Sequence, residues 1–244
     1  MEAIKTINLR KEYKDIVAVD NLNLNIEEGE LFSLLGVNGA GKTTTIKMLS
    51  TLASPTSGDA YIFDYSILKD QDKIKELIDV SMQETAIARK LTVDENIEFY
   101  AKLSGQTREE IEETKKYVYT AFELDKVKVK QASKLSGGWQ RKLSIALALV
   151  TKPKILFLDE PTLGLDVIAR RELWKTIREL KKNMTIILTT HYMEEAEALS
   201  DRIGIMKDGK LLFVGTKEEL FTKTNKTNVE DSFISIVSGG DLDE

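Results

Sequence analysis

Apolar and polar residues alternate over much of the first 63 residues. Leu22, Leu24 and Ile26 fall on one face of an extended chain, and this period of two indicates strands with one buried face. The apolar run ELFSLLG (30–36) then passes through a glycine turn into KTTTIKMLSTL, a pattern that predicts a strand, a tight loop and a helix. The N-terminal part is therefore predicted as an antiparallel β region joined to a strand-loop-helix unit.

The pattern becomes helical between Thr92 and about residue 130. Thr92 with Glu95, and Thr107 with Glu110, have the spacing of a capping box, in which hydroxyl and carboxylate satisfy each other's free backbone N–H groups. Strand character is weak here. Residues 84–134 are accordingly predicted as a helical subdomain inserted between strands of a sheet.

The second half of the chain alternates strands with helices. The run ILFL (155–158) is apolar on both faces, as in a strand of a covered parallel sheet, and MTIILTTH (184–191) is predicted as a second buried strand. The amphipathic helix DVIARRELWKTIRELKK lies between them. RIGIMKDGKLLFVG predicts a hairpin that turns at Asp208 and Gly209. Thr216 and Glu219 predict a last short helix, followed by a solvated end, SGGDLDE. The expected fold is one α/β domain over residues 1–244 with a mostly parallel sheet and a short tail from about residue 222.

Composition narrows the class of protein. With 42% hydrophobic residues, 31% charged residues and no cysteine, the chain is globular and has neither disulfides nor thiolate metal sites. Its net charge of -5 disfavours a general nucleic-acid binder. No apolar stretch approaches the roughly 20 residues that cross a bilayer, and the first 15 residues lack a secretory hydrophobic core. We expect a soluble chain that is not exported.

The segment GVNGAGKT fits the phosphate-loop pattern G-x-x-x-x-G-K-S/T, with Gly36, Gly41, Lys42 and Thr43 in the required places. Glycines let backbone N–H groups approach a phosphate chain, the lysine brings charge to the outer phosphates, and the hydroxyl binds Mg²⁺. An ordinary glycine turn is the alternative. The strand before the turn and the helix after it favour a nucleotide site on a P-loop NTPase core.

Polar residues follow three of the predicted strands. Asp159 and Glu160 end ILFL, His191 ends MTIILTTH, and Gln83 closes the shorter run IDVSM. Open parallel sheets bind ligands at the carboxyl ends of their strands. Asp159 is therefore predicted beside Mg²⁺, and Glu160 beside the water that attacks the γ-phosphate. The alternative for each residue is a structural role at a strand end.

A second glycine-rich turn, KLSGGWQRKL (134–143), precedes a strongly helical run. A helix that begins Ser136-Gly137-Gly138 exposes backbone donors at the positive end of its dipole and adds a hydroxyl, which makes a second anion site. The alternative is an ordinary helix with Ser136 as its N-cap. The residues alone support these two interpretations equally.

Together these motifs resemble those of the ATP-binding subunits of ABC transporters. GVNGAGKT is similar to their Walker A, Gln83 to their Q-loop, LSGGW to their signature, ILFLDE to their Walker B, LGLD to their D-loop and TTHYMEEAE to their H-loop. All occur in the family's order over nearly the whole chain. The resemblance adds nucleotide contacts at Asn38, Gly39, Ala40 and Thr44, and a signature that acts in trans through Leu135, Ser136, Gly137 and Gly138.

The resemblance implies hydrolysis of ATP with Mg²⁺ by two subunits, identical or different, paired head to tail. The LSGG of each closes over ATP held by the Walker A of the other, Tyr13 stacks on adenine, and Asp166 lies across the dimer seam. The implied catalytic residues are Glu160 as base, His191 and Gln83. The implied Mg²⁺ ligands are Thr43, Gln83 and, through water, Asp159.

The resemblance also implies a separate transmembrane permease at the cytoplasmic face of the cell membrane, docked at or near residues 84–89. The C-terminal part, GKLLFVGTKEELF, looks like the short tail of the branch that powers ABC-2 type exporters. Trp139, in place of the usual glutamine, and Leu163, before GLD, depart from the family pattern and concern the dimer seam. They remove no phosphate ligand.

Two other functions are compatible with a phosphate loop. A soluble ABC ATPase that acts on ribosomes or DNA usually joins two ATPase halves or inserts long coiled coils, and neither is present in this sequence. A P-loop kinase that phosphorylates a small molecule would leave LSGG and the ordered Q, D and H motifs without a purpose. We therefore expect an ATPase subunit that powers transport, and no nucleic-acid partner.

Overall fold

The computed structural model describes residues 1–239. Its strands are β1 Glu2–Tyr13, β2 Ile16–Leu22, β3 Asn25–Glu27, β4 Leu31–Leu35, β5 Ser57–Ile62, β6 Tyr65–Ser66, β7 Ile78–Ser81, β8 Ile155–Asp159, β9 Thr185–Thr190, β10 Arg202–Lys207 and β11 Lys210–Gly215. Its α-helices are α1 Lys42–Leu49, α2 Gln71–Lys75, α3 Val93–Leu103, α4 Arg108–Phe122, α5 Gly137–Ala148, α6 Val167–Lys181, α7 Met193–Leu199, α8 Lys217–Thr224 and α9 Val229–Ser238. Within residues 1–239, none of the helices combines the length and the apolar character that a bilayer crossing requires.

The strands form two sheets that differ in direction. The N-terminal sheet, ordered β2-β1-β5-β6 with β3 also paired to β1, is antiparallel throughout. The second sheet is ordered β11-β10-β4-β9-β8-β7, and its pairs are parallel except for the hairpin of β10 and β11. Strands β4, β8 and β9 are buried at every residue, which explains their continuous apolar runs. The predicted α/β fold with its antiparallel N-terminal region is confirmed.

The strand order brings four of the predicted motifs to one edge of the parallel sheet. β4 leads into the phosphate loop, β8 into the acidic pair, β9 into the histidine and β7 into the glutamine segment. Adjacent strands end in register, with Leu35 opposite Thr190 and Asp159 opposite Thr189. The chemistry-bearing residues therefore meet at the carboxyl edge, where sequence reasoning expected them.

The helical subdomain forms between β7 and β8. Both capping boxes, at Thr92 and at Thr107, are present, as predicted. Lys115 of α4 joins the two main helices, because its Nζ lies 2.9 Å from Asp94 and 3.0 Å from Glu98 of α3. Two short 3₁₀ helices, Leu124–Val127 and Ala132–Lys134, then return the chain to α5.

The C-terminal region differs from the prediction. The capping box of Thr216 forms and opens α8, but α8 is not the last helix. Residues 229–238 form α9. Asn228 is its N-cap, because the Asn228 side chain accepts a hydrogen bond from the backbone N–H of Asp231. Val229 and Phe233 of α9 are buried in a cluster with residues of α7, α8, β10 and β11, and this packing holds a segment that is too short to form a stable helix alone. Residues 240–244, most of the predicted solvated end, lie outside the described residues.

Candidate functional site

A cavity of about 730 Å³ opens at the carboxyl edge of the parallel sheet. The sequence-predicted residues that line it are Asn38, Gly39, Ala40, Gly41, Lys42, Thr43, Thr44, Gln83, Glu160 and His191. Five further residues line the cavity: Ile16, Val17 and Ala18, which the sequence did not single out, and Leu163 and Asp208, which it singled out only for the dimer seam and for the hairpin turn. The cavity thus joins residues that follow four strand ends with the first residues of β2 and with Asp208 in the turn between β10 and β11.

The phosphate loop runs between β4 and α1 and needs glycine at two places. A Cβ on Gly41, whose φ is 104°, would lie 2.4 Å from the carbonyl oxygen of Ala18, and a Cβ on Gly36 would lie 2.5 Å from that of Met206. Helix α1 has no side-chain cap and no acidic residue in its first turn. Its first N–H groups and positive dipole end are therefore suited to an anion.

Lys42 lies along its own loop and is only 5% exposed. Its Nζ donates to the carbonyl oxygens of Gly36, at 2.7 Å, and Val37, at 3.2 Å. The same Nζ lies 3.3 Å from Oε1 of Glu160, so the two opposite charges are buried together. The loop carbonyls and the carboxylate fix the ammonium group beside the cavity, where it can attract a phosphate.

Asp159 is fully buried and is held by two hydroxyl groups. Thr43 Oγ1 lies 3.0 Å from each carboxylate oxygen of Asp159, and Thr189 donates to Oδ1 at 2.5 Å. Sequence reasoning missed Thr189, although the polar pair TT in an otherwise apolar strand was a usable signal. The carboxylate predicted to serve Mg²⁺ therefore faces the hydroxyl of the phosphate loop.

Glu160 adopts a backbone conformation that is unusual for a residue with a side chain. Its φ is 48°, in the left-handed region, which costs about 1–2 kcal/mol. Its N–H lies within hydrogen-bonding distance of the carbonyl oxygen of Thr189, at 3.2 Å, and of its Oγ1, at 3.1 Å. Its Oε2 lies 2.8 Å from Nδ1 of His191. Strained residues of this kind are concentrated at functional sites, where the surrounding structure fixes them.

The oxygen atoms of the side chains beside the phosphate loop are suitable ligands for Mg²⁺. Mg²⁺ is usually bound by one or two carboxylates together with substrate phosphates and water, and not by a full protein cage. The Thr43 hydroxyl and the Asp159 carboxylate supply such a partial set, and within residues 1–239 no group of three or more His, Cys, Asp or Glu side chains could hold a metal ion. Gln83 lines the same cavity and is exposed.

The signature residues Leu135 to Gly138 do not line the cavity. Ser136 occupies the N-cap position of α5, but its side chain accepts no capping hydrogen bond, and both Ser136 and Gly137 are exposed. The alternative of a helix capped by the Ser136 hydroxyl therefore lacks its defining bond. The open end of α5 thus exposes backbone donors that are not part of the cavity of its own chain.

Two residues implied by the resemblance also lie outside the cavity lining. Tyr13 is 45% exposed, with Lys11 Nζ 4.8 Å from its ring centre, while Ile16, its partner across β1 and β2, lines the cavity. Asp166 caps α6, because its Oδ1 accepts from the N–H groups of Ile168, at 2.9 Å, and Ala169, at 3.0 Å. An aspartate directly before an amphipathic helix was a signal for this cap. The roles at adenine and at the dimer seam stay predictions.

Comparison with known proteins identifies the family of the chain. The family profile described as "ABC transporter" matches residues 19–163. ABC transporter A family member 7 of Dictyostelium discoideum is 46% identical over 218 residues, which cover 88% of this chain and 26% of the relative. The phospholipid-transporting ATPase ABCA3 of Homo sapiens is 45% identical over 210 residues, which cover 86% of this chain and 12% of the relative. The chain thus spans only a minor part of either relative.

Solved structures agree in fold and in family. CbiO1 from Clostridium perfringens, described as part of the ABC transporter complex cbiONQ, is similar with a TM-score of 0.83 and 29% identity over 91% of each chain. A dimeric post-hydrolysis state of the ATP-binding cassette MJ0796, bound to ADP and Pi, has a TM-score of 0.79 and 29% identity over 87% of this chain and 98% of that one. The profile covers more than half of the sequence. The chain belongs to the ABC transporter family and is a nucleotide-binding domain of that family.

Proposed function

We propose that this chain binds ATP with Mg²⁺, hydrolyses it in a pair of ATPase subunits, and powers export through a separate transmembrane partner. One observation carries the proposal: the side chains of Lys42, Thr43, Glu160 and His191 line one cavity at the carboxyl edge of the sheet, and the buried carboxylate of Asp159 is hydrogen-bonded to Thr43. Membership of the ABC transporter family supports ATP hydrolysis as the reaction.

The contacts of Glu160 suit the role of catalytic base. Its buried carboxylate has one oxygen beside Lys42 Nζ and the other beside His191 Nδ1, so both oxygens are held in place at the cavity. Glu160 takes a proton from the attacking water, while Lys42 and the N–H groups of the phosphate loop bind the phosphates. Mg²⁺, when bound by Thr43 and Asp159, neutralises charge on the phosphate oxygens.

The position of the signature supports a paired arrangement. Ser136 and its glycines form an exposed helix end that is not part of the cavity of their own chain. In the proposed pair, whose two subunits are identical or different, this end closes over the nucleotide of the partner subunit. The similar cassette that was solved as a dimer with ADP and Pi supports this arrangement.

The helical subdomain offers a surface for the membrane partner. Glu84 and Arg89 are exposed, and on the neighbouring helix α3 Phe99 and Leu103 are 46% and 70% exposed. Exposed apolar side chains beside charged ones are typical of protein contact sites. We place the permease there, at the cytoplasmic face of the membrane. The resemblance of the C-terminal part to ABC-2 exporters supports export.

Measuring the products of the reaction tests this function against its rivals. With MgATP, the proposal predicts free phosphate and ADP in equal amounts and no phosphorylated acceptor. A phosphorylated small molecule without free phosphate would support a kinase and contradict the proposal. Purification from the native membrane should recover a permease with the chain, whereas recovery of ribosomes or DNA alone would favour a soluble ABC ATPase.

A further inference from the structure

Arg141 makes an unusual set of contacts near the site. Its side chain, on the second turn of α5, is only 5% exposed and donates to four backbone carbonyl groups. The acceptors are Met82 O at 2.6 Å and Gln83 O at 3.2 Å from Nη1, Asp159 O at 2.6 Å from Nη2, and Pro161 O at 2.9 Å from Nε. One guanidinium group thus binds the glutamine segment, the end of β8 and the loop after the acidic pair.

Stability alone does not account for a charge at this place. The four acceptors of the guanidinium group are carbonyl oxygens and not carboxylates, and the charges of Asp159, Glu195 and Glu160 offset only part of the effect of burial on its pKa. Burial lowers the pKa of Arg141 to about 10, which still leaves the group charged at neutral pH. An apolar side chain of similar volume often stabilises a buried position equally well or better. What the guanidinium supplies is a rigid planar set of donors that holds three segments in a fixed relation.

The contacts of Arg141 connect two functional parts of the same chain. On one side they hold the backbone of Gln83 and Asp159, which belong to the nucleotide cavity or contact its loop. On the other side Arg141 is part of α5, and Ser136 at the start of that helix lies about 7.5 Å away along the axis. Hydrogen bonds and a short stretch of helix therefore connect the glutamine segment and the strand end to the signature.

We propose that Arg141 is a positioning residue that couples the nucleotide in the cavity of its own protomer to the orientation of its own signature. This inference rests on the proposed function, because there the signature serves the nucleotide of the partner subunit. Arg141 then links the two nucleotides of the pair.

Hydrogen exchange of the signature segment tests the coupling without measuring turnover. The background variant is Ser136→Arg, which is expected to bind ATP without closing the pair. Adding MgATP should change deuterium uptake of residues 132–140 in this variant. A further Arg141→Met substitution should abolish that change, while equilibrium dialysis still detects bound ATP. An unchanged uptake in the background variant, or the same change with Arg141→Met, would overturn the inference.

Steady-state kinetics of the full chain provide a second test. In the parent we expect a Hill coefficient for ATP that approaches about 2, the number of coupled sites. Arg141→Met should lower kcat by about 10²-fold and bring the Hill coefficient to about 1. The control is Lys142→Met, which removes a neighbouring buried cation that pairs with Glu172 and should keep the cooperativity.

The possible outcomes separate this inference from the proposed function. A cooperative parent whose cooperativity and kcat survive Arg141→Met contradicts the role of Arg141 and leaves the proposed pair intact. A parent that hydrolyses ATP as a monomer with a Hill coefficient of 1 contradicts the pair itself. If Arg141→Met does not fold, the same kinetics are measured on Arg141→Lys. Lysine keeps the charge but cannot bind all three segments at once, so this variant should also lose cooperativity. A fully cooperative Lys variant would overturn the inference.

Discussion

Nδ1 of His191 lies 2.8 Å from Oε2 of Glu160, although the two residues stand 31 positions apart in the chain. Neighbouring parallel strands β8 and β9 end together and bring them into contact. The other carboxylate oxygen of Glu160 lies 3.3 Å from Lys42 Nζ. The carboxylate is thus held between a histidine and a lysine, with one oxygen beside each, at the cavity that the phosphate loop lines.

Glu160→Gln should keep ATP binding and slow hydrolysis by about 10²–10⁴-fold, because an amide has nearly the same shape but does not accept the proton of the attacking water. The variant should accumulate as a pair with bound ATP. Phosphate release and size-exclusion chromatography in MgATP measure the two effects. Release at the parent rate would show that Glu160 is not the base.

Ser136→Arg should abolish hydrolysis and spare ATP binding to the monomer. The physical reason is that Ser136 lies outside the cavity, at the open end of α5, where a long cation blocks the approach of a partner's nucleotide. Ser133→Arg is a matched control, because Ser133 is also exposed and lies three positions earlier. Equilibrium dialysis measures ATP binding by both variants, and phosphate release measures their hydrolysis. A Ser136→Arg chain with full activity is incompatible with a signature that acts in trans.

Asp166→Ala should lower the free energy of unfolding by about 1 kcal/mol and the melting temperature by about 2–4 °C, since it removes the cap of α6. Asp166→Asn should keep the melting temperature, because asparagine caps helices equally well. If Asp166 also lies at the dimer seam, the Asn variant should lose hydrolysis at unchanged stability. Equal melting of the Ala variant and the parent would rule out a stabilising cap.

The ion cluster between α3 and α4 should make stability fall in acid. Hydrogen bonds from Lys102 and then from Lys115 lower the pKa of Glu98 to about 2 from an ordinary value of 4.5. A carboxylate with a lowered pKa contributes its full stabilisation above pH 4.5 and loses it as the pH falls toward 2.

Lys115→Met tests this dependence. The difference in melting temperature between the parent and Lys115→Met should be largest above pH 4.5 and should shrink as the pH approaches 2. Lys116→Met, a change at the exposed neighbouring residue, is the control and should show a smaller dependence on pH. A difference that stays constant over this range would contradict the assignment of the cluster.

Local patterns predicted those parts of the fold that local physics determines. The three capping boxes, the two buried strands and the hairpin at Asp208 and Gly209 follow from spacings of a few residues, and each is present. The phosphate loop and the polar strand ends were predictable for a different reason. Phosphate and Mg²⁺ require particular residue types, and a parallel sheet brings its strand ends to one edge.

Contacts between distant segments were not predictable from these patterns. Arg141 binds carbonyl groups up to 59 positions away in the chain. In the sequence it stands in the polar run QRK, residues 140–142, and nothing there distinguishes it from its neighbours. Helix α9 carries an apolar pair, Val229 and Phe233, with helical spacing, but the burial of this pair depends on α7, α8, β10 and β11. Such features depend on tertiary packing, which overrides local propensity.

Complementation between two inactive chains tests most directly whether each nucleotide is held by the loops of two protomers. Ser136→Arg and Glu160→Gln chains are mixed before MgATP is added, and phosphate release is measured for the mixture and for each chain alone. In a mixed pair one site has an intact Glu160 and an intact partner signature, so the mixture should release phosphate faster than either chain alone. A mixture that remains as inactive as its components, although both chains bind ATP, would contradict the account.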